Sequence, residues 1–122
     1  MTFNEWAKAI HELAIEKGWW DEPREFGTIL ALCHSELSEA LEEYRNDRPM
    51  LYVDDFVNGE RITDPTHFRT NEKPEGIASE MVDCMIRILD YLGKEKVDVD
   101  QVLRLKFNYN RGRPHCHGGK KC

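Results

Sequence analysis

Four acidic residues in this chain form two pairs with the same internal spacing. Glu36 and Glu39 make one pair, and Glu80 and Asp83 make the other. A separation of three residues places both carboxylates of a pair on one face of a helix. If the two helices pack side by side, the carboxylates converge, and two bare carboxylates about 4 Å apart repel by about 4 kcal/mol at an effective dielectric near 20. Such a cluster requires protons or a cation, and hard oxygen ligands suit Mg²⁺ or Mn²⁺.

Both acidic pairs lie in segments whose apolar residues recur with helical periodicity. The first acidic helix is predicted from about Phe26 to Tyr44, and the second from near Gly76 to Leu92 with Gly93 as its stop. Arg87 shares the polar face of the second helix. One such pair alone is typical of an amphipathic helix with a solvated face. Two pairs in strongly apolar helices favour a shared site instead.

Two further helices are predicted at the ends of the chain. The first begins at a cap formed by Thr2 or Asn4 and ends before Gly18. The last begins at Asp98 or Asp100 and carries the apolar residues of the segment 102–109. The order of elements predicts an all-α fold, a four-helix bundle. Because the second acidic helix is apolar around much of its circumference, we also expect an oligomer.

The segment 50–75, between the acidic helices, differs in character. Strand-like runs at 51–53 and 61–63 flank Asn58-Gly59, a strong signal for a hairpin turn. The segment is therefore predicted to be a small β-hairpin or an ordered loop. Whether it covers the acidic site as a lid or only connects the two helices stays open at this point.

Length and charge restrict the class of protein. A chain of 122 residues favours a single domain over 1–122, with an irregular basic tail at 110–122. A formal net charge of −6 argues against a general nucleic-acid surface. No apolar run reaches the roughly 20 residues that span a bilayer, and no signal peptide is visible, so a cytoplasmic protein without membrane partners is expected.

The four cysteines are interpreted in that context. Cys33 and Cys84 adjoin the acidic pairs on apolar helices, where buried free thiols are expected rather than a disulfide framework. The tail carries potential zinc ligands at His115, Cys116, His117 and Cys122. Their spacing is too tight for an ordinary paired-ligand zinc site, and this favours an irregular terminus.

The acidic pairs belong to a longer resemblance. Glu36-x-x-Glu39 followed by Glu80-x-x-Asp83 resembles the metal-binding pattern of the MazG-like all-alpha nucleoside triphosphate pyrophosphohydrolases, in their phage and bacterial branch. Further matching segments are Gly18-Trp19-Trp20, Lys73-Pro74-Glu75-Gly76-Ile77, Lys106-x-x-x-Asn110-x-x-Arg113-Pro114 and His117-Gly118-Gly119-Lys120.

Two departures from the family pattern concern the first acidic pair. Ser35 stands where the family motif begins with a glutamate, and the gap between the two pairs is longer than usual. Glu43, one helical turn beyond Glu39, is a candidate replacement for the missing carboxylate. Ser35 also keeps open a non-catalytic helical module that binds a nucleotide or a protein.

The resemblance implies a reaction and a cofactor. Members of the family hydrolyse a nucleoside triphosphate between its α and β phosphates, giving a monophosphate and pyrophosphate, in nucleotide-pool control or clean-up. Here Glu36, Glu39, Glu80 and Asp83 would hold Mg²⁺, with Mn²⁺ as a possible substitute. Glu36 or Glu39 would take the proton from the attacking water. A homodimer or homotetramer is expected.

The resemblance also suggests residues for substrate binding. Lys106, Asn110 and Arg113 have a helical spacing suited to phosphate contacts, although an exposed basic face has the same spacing. His11, Trp19 and Trp20 are candidates for binding the base, because an aromatic ring can stack on it. Adjacent tryptophans at a helix end are more often core or interface anchors, and a structural role for His11 is the simpler interpretation.

Overall fold

The chain folds mainly into helices. The computed structural model describes residues 1–114 and contains, in that range, four α-helices and one two-stranded antiparallel sheet. The elements are α1 (Phe3–Glu16), α2 (Phe26–Arg45), β1 (Phe56–Val57), β2 (Glu60–Arg61), a 3₁₀ turn (Pro65–His67), α3 (Ile77–Lys94) and α4 (Val99–Arg111). This confirms the predicted mostly helical fold with a hairpin between the acidic helices. The candidate zinc ligands and the His117–Lys120 segment lie outside the described residues.

The chain forms two compact units. One, the acidic unit, comprises Trp20–Ile88 and contains both acidic pairs. The other, the terminal unit, comprises Met1–Trp19 and, within the described part of the chain, residues 89–114. The boundary falls within α3, so this helix contributes residues to both units.

The helix ends of the terminal unit follow from capping chemistry. The Thr2 hydroxyl accepts from the backbone N–H of Glu5 at 3.0 Å, and the Glu5 side chain accepts from the backbone N–H of Thr2 at 3.1 Å, a capping box. Asp98 caps α4, because its carboxylate accepts from the backbone N–H of Gln101 at 3.1 Å. The two alternative caps link these helices instead, because Asn4 Nδ2 donates to Asp98 at 2.8 Å and Asp100 accepts from the backbone N–H of Asn4 at 3.1 Å.

Two predicted glycine stops have different outcomes. Gly18 follows α1 with a φ of 86°, as a helix-terminating glycine should. The predicted stop at Gly93 is wrong, because Gly93 lies inside α3, which continues to Lys94. A Cβ atom at Gly93 would lie 2.6 Å from the carbonyl oxygen of Ala7. Glycine is therefore required at this position by the close approach of α1.

The hairpin forms around the predicted turn. Asn58 and Gly59 connect β1 to β2 with φ values of 53° and 78°, the positive values that a type I′ turn needs at both central residues. The prediction of a strand at 51–53 is wrong. The two-residue turn pairs the residues that directly flank it, at Phe56–Val57 and Glu60–Arg61. Tyr52 forms an isolated antiparallel bridge with Glu75, and the backbone N–H of Val53 donates to the carbonyl of Ile62 at 3.2 Å.

The packing between α2 and α3 includes both cysteines. Cys33 and Cys84 are buried free thiols, as predicted, and their side chains neighbour each other. Burial raises the pKa of the Cys33 thiol above its usual 9.0, and the neighbouring Cys84 adds to this effect.

Within the described residues, no helix is both long enough and apolar enough to cross a membrane.

Candidate metal centre

Three carboxylates converge where α2 packs against α3. Glu36 comes from α2, and Glu80 and Asp83 come from α3. One carboxylate oxygen from each lies within 4.8 Å of the other two. Glu36 is 7% exposed, Glu80 is 9% exposed and Asp83 is partly buried. The spacing of the second acidic pair explains why Glu80 and Asp83 share a face, while helix packing adds Glu36.

Glu39 lies at the edge of this group. It is exposed to solvent, unlike Glu36 one turn earlier on α2. Its side chain nevertheless forms hydrogen bonds with both Glu36 and Glu80. The four predicted acidic residues therefore form one connected cluster, with Glu39 on its solvent side.

The carboxylates of the cluster differ in their affinity for protons. Burial, followed by the hydrogen bond and negative charge of Glu39, raises the pKa of Glu80 from 4.5 to about 7. Burial and the charge of Glu36 likewise raise the pKa of Asp83 above its usual 3.8. Burial alone would also raise the pKa of Glu36, but the hydrogen bond that Arg87 donates to it, together with a further contribution from the neighbouring Glu39 side chain, outweighs burial, and that pKa lies below 4.5. The cluster therefore retains a proton near neutral pH when no cation is present.

Arg87 is the residue of this site to which the sequence analysis gave no role. Its Nε donates a hydrogen bond to Oε1 of Glu36 at 2.8 Å, and its side chain is 26% exposed. Arg87 lies one helical turn beyond Asp83, on the acidic face of α3. That i+4 spacing from the acidic pair is the signal in the sequence that could have identified it.

Lys73 also acts on the cluster. Its charge lowers the pKa of Asp83, against the larger effects of burial and Glu36. Its Nζ lies 3.5 Å from Glu75, whose backbone is fixed by the bridge to Tyr52. Lys73 belongs to the segment 73–77, which precedes the second acidic helix and resembles the family. This segment therefore contributes a positive charge close enough to Asp83 to affect its pKa.

Glu43 and Ser35, the residues involved in the departure from the family pattern, have other partners. The Tyr52 hydroxyl donates to both carboxylate oxygens of Glu43, at 3.2 and 3.0 Å. Glu43 therefore anchors the inserted segment to α2. The hydroxyl of Ser35, which is exposed, donates to the carbonyl of Leu32 in its own helix at 2.6 Å.

The hairpin contains an arginine whose guanidinium lies over two aromatic rings. The guanidinium of Arg61 lies 4.8 Å from the Tyr52 ring centroid and 5.3 Å from that of Phe56. It also donates to Asp54 at 3.3 Å. An open cavity of about 610 Å³ is lined by residues between Asp55 and Arg69. These contacts order the insertion between the two acidic helices.

The predicted phosphate-binding residues lie on or just beyond α4 in the terminal unit. The charged groups of Lys106 and Arg113 are 5.7 and 5.5 Å from the ring centroid of Tyr109, so both lie beside the same ring. Asn110 is exposed. Their role in phosphate binding stays a prediction.

The predicted base-binding residues are found in both units. Nδ1 of His11 lies 2.8 Å from Oδ1 of Asp90, and both side chains are partly buried in the terminal unit. Trp19 is exposed just after α1, and Trp20 is partly buried at the start of the acidic unit. Their role in base binding also stays a prediction.

Comparison with known proteins identifies no relative. No family model matches this chain, and no curated protein or solved structure matches it at a significant level.

Proposed function

We propose that this protein is a Mg²⁺-dependent nucleoside triphosphate pyrophosphohydrolase of the MazG-like kind. It would hydrolyse a ribo- or deoxynucleoside triphosphate between the α and β phosphates, in nucleotide-pool control or clean-up. The observation that carries this proposal is the convergence of Glu36, Glu80 and Asp83 from the two helices with the acidic pairs. The resemblance of those pairs to the family motif supplies the reaction.

The donor set fits a hard divalent cation. Three carboxylate oxygens within 4.8 Å of one another would supply hard oxygen ligands to one ion. Bound there, Mg²⁺ or Mn²⁺ would offset phosphate charge and lower the pKa of a water molecule. Glu80 must give up its proton before it can act as a ligand.

The chain supplies two candidates for the general base. Glu39 is the better placed, because it is exposed to solvent yet hydrogen-bonded to Glu36 and Glu80. It can therefore accept a proton from the water that attacks the α phosphorus. Glu36 is the alternative, although its bond to Arg87 occupies one of its oxygens. The resemblance to the family implies that Lys106, Asn110 and Arg113 would contact the phosphates of the substrate.

We also propose that the working form is a homodimer or homotetramer. Leu30, Leu37 and Leu41 form a strip along α2 and are 44–49% exposed. The apolar residues on α3 away from its acidic face are 41–51% exposed, namely Met81, Val82, Met85, Ile86 and Ile88. A second copy is the occupant that fits, because a two-fold axis lets each strip meet an identical one.

A pyrophosphate-release assay tests the proposed reaction. The common ribo- and deoxynucleoside triphosphates would each be tested with Mg²⁺ and with EDTA. We expect metal-dependent release of pyrophosphate and a monophosphate. Glu39→Gln should reduce the rate by about 10²–10⁴-fold through loss of the base, and Glu80→Gln should abolish activity through loss of a ligand.

Glu42→Gln is the matched control, because Glu42 is an exposed glutamate on the same helix as Glu39. It should retain the wild-type rate. Full activity in both Glu39→Gln and Glu80→Gln would contradict the proposed site. Absence of turnover by the wild type with every nucleotide would favour the non-catalytic module, and Ser35→Glu would then test whether the missing glutamate is the cause.

A further inference from the structure

We infer that Arg87 is a positioning residue that holds the Glu36 carboxylate by one oxygen and leaves the other for the cation. This inference rests on the proposed metal centre and assigns a role to a residue that the acidic motif does not include. Arg87 would act through Glu36 and would not itself contact the reacting atoms.

The contact between the two side chains is short and specific. The Nε–H of Arg87 donates to Oε1 of Glu36 at 2.8 Å, a distance typical of a charge-assisted hydrogen bond. The side chains are 26% and 10% exposed, so packing restrains both of them. An ionised carboxylate has two oxygens and about four lone-pair sites. A single N–H donor therefore leaves room for a cation on the same group.

The position of Arg87 in the fold makes this contact useful to a metal site. Arg87 and the ligands Glu80 and Asp83 lie on the same face of α3, whereas Glu36 lies on α2. Glu36 is the one residue of the three-carboxylate group that lies on α2. By holding its carboxylate, Arg87 fixes the position of this ligand relative to Glu80 and Asp83 on α3. Hydrogen bonds to ligating carboxylates commonly have this orienting effect, and their loss typically weakens metal binding by about 10–100-fold.

The positive charge of Arg87 lowers the affinity for a metal ion, whereas its orienting effect on Glu36 raises that affinity. A guanidinium beside the site repels a divalent cation, so its removal alone would strengthen metal binding. The orienting effect should exceed this repulsion, because a released Glu36 side chain can turn toward Glu39 and Glu80, with which it already shares hydrogen bonds. Weaker metal binding after removal of Arg87 would therefore indicate the positioning role. Tighter binding would indicate that the charge of Arg87 mainly repels the cation.

The test measures Mn²⁺ binding to the full chain at pH 8 by titration calorimetry, without nucleotide. We expect Arg87→Met to weaken Mn²⁺ binding by about 10-fold or more. Arg87→Lys, which keeps the charge and one donor, should lie between the wild type and Arg87→Met. Arg45→Met is the matched control, because it removes the same charge from an exposed position at the end of α2 and should leave the affinity unchanged.

A double-mutant cycle with Glu36→Gln shows whether Arg87 acts through Glu36. In that background Arg87→Met should cause no further loss of Mn²⁺ affinity. An equal loss in both backgrounds, or unchanged or tighter binding by Arg87→Met, would overturn the inference. If Arg87→Met fails to fold, as judged by circular dichroism, Arg87→Lys decides by the same criterion: weaker binding supports the inference and unchanged binding overturns it. Absence of Mn²⁺ binding by the wild type would instead refute the proposed metal centre itself.

Discussion

Glu36 and Glu80 belong to one cluster yet have opposite preferences for a proton. Glu36 is bonded to a guanidinium, and its pKa lies below 4.5. Glu80 is surrounded by the carboxylates of Glu39, Asp83 and Glu36, and its pKa is raised to about 7. In the metal-free protein the proton on Glu80 and the charge of Arg87 together reduce the repulsion among the acids.

The raised pKa of Glu80 predicts how the stability of the metal-free protein depends on pH. Because the folded state binds this proton more tightly than the unfolded state, the contribution of Glu80 to stability is complete below pH 4.5 and is lost as pH rises through about 7. Between pH 5 and pH 8 in EDTA, we expect the melting temperature to fall by roughly 5–10 °C. Asp83, whose pKa is also raised, acts in the same direction.

Glu80→Gln should remove most of this decline, because glutamine resembles the protonated acid at every pH. The melting temperature of the variant at pH 8 should therefore exceed that of the wild type in EDTA. Glu42→Gln serves as the control and should follow the wild-type profile. A decline of the same size in Glu80→Gln would show that another group causes it.

At the scale of elements, the site depends on how closely α2 and α3 pack. The contact between the Cys33 and Cys84 thiols and the bond between Glu36 and Arg87 both join these helices. In the terminal unit, the close approach of α1 to α3 is made possible at Gly93. A side chain at this glycine would therefore disturb helix packing rather than helix formation.

Gly93→Ala tests this interpretation of the glycine. A Cβ atom only 2.6 Å from the carbonyl oxygen of Ala7 must force backbone to move, and we expect the free energy of unfolding to fall by about 1–3 kcal/mol. Gly27→Ala in α2 is the matched control, since its Cβ would have no neighbour within 4 Å. It should be neutral or stabilising by up to about 1 kcal/mol. Urea unfolding measures both, and an equal response of the two variants would contradict the packing argument.

At the scale of the whole molecule, the described residues bury few large side chains. The large apolar side chains that are buried in this range are Ile29, Tyr52, Val53 and Leu89. The strips on α2 and α3 remain nearly half exposed, and contiguous apolar surface of this kind is typical of an interaction site. The proposed homo-oligomer would cover this surface.

A charge placed in the exposed strip should therefore dissociate the oligomer. We expect the wild type to have a multiple of the monomer mass by light scattering and Ile86→Glu to shift toward the monomer, because an unpaired carboxylate would be buried at the interface. Thr28→Glu adds the same charge to an exposed position on the opposite side of α2 from its leucine strip and should leave the mass unchanged. A wild type that is monomeric at every concentration tested would contradict the proposal.

Local patterns determined much of this protein from sequence alone. The capping box at Thr2, the stop at Gly18, the type I′ turn at Asn58-Gly59 and the shared face of Glu80 and Asp83 all follow from neighbours within a few residues. Each depends on backbone geometry that a short segment carries by itself. For this reason the helices and the turn could be predicted without knowledge of the packing.

Tertiary structure decided the features that join distant segments. Arg87 meets Glu36 although 51 residues separate them in sequence, Glu43 binds Tyr52 rather than the acidic cluster, and Gly93 lies inside α3 where α1 leaves no room for a side chain. The raised pKa of Glu80 likewise depends on its burial in the fold and on carboxylates from the other acidic helix. Helical periodicity shows which residues share a face of one helix, but which residue of a second helix they meet is set by side-chain packing between them.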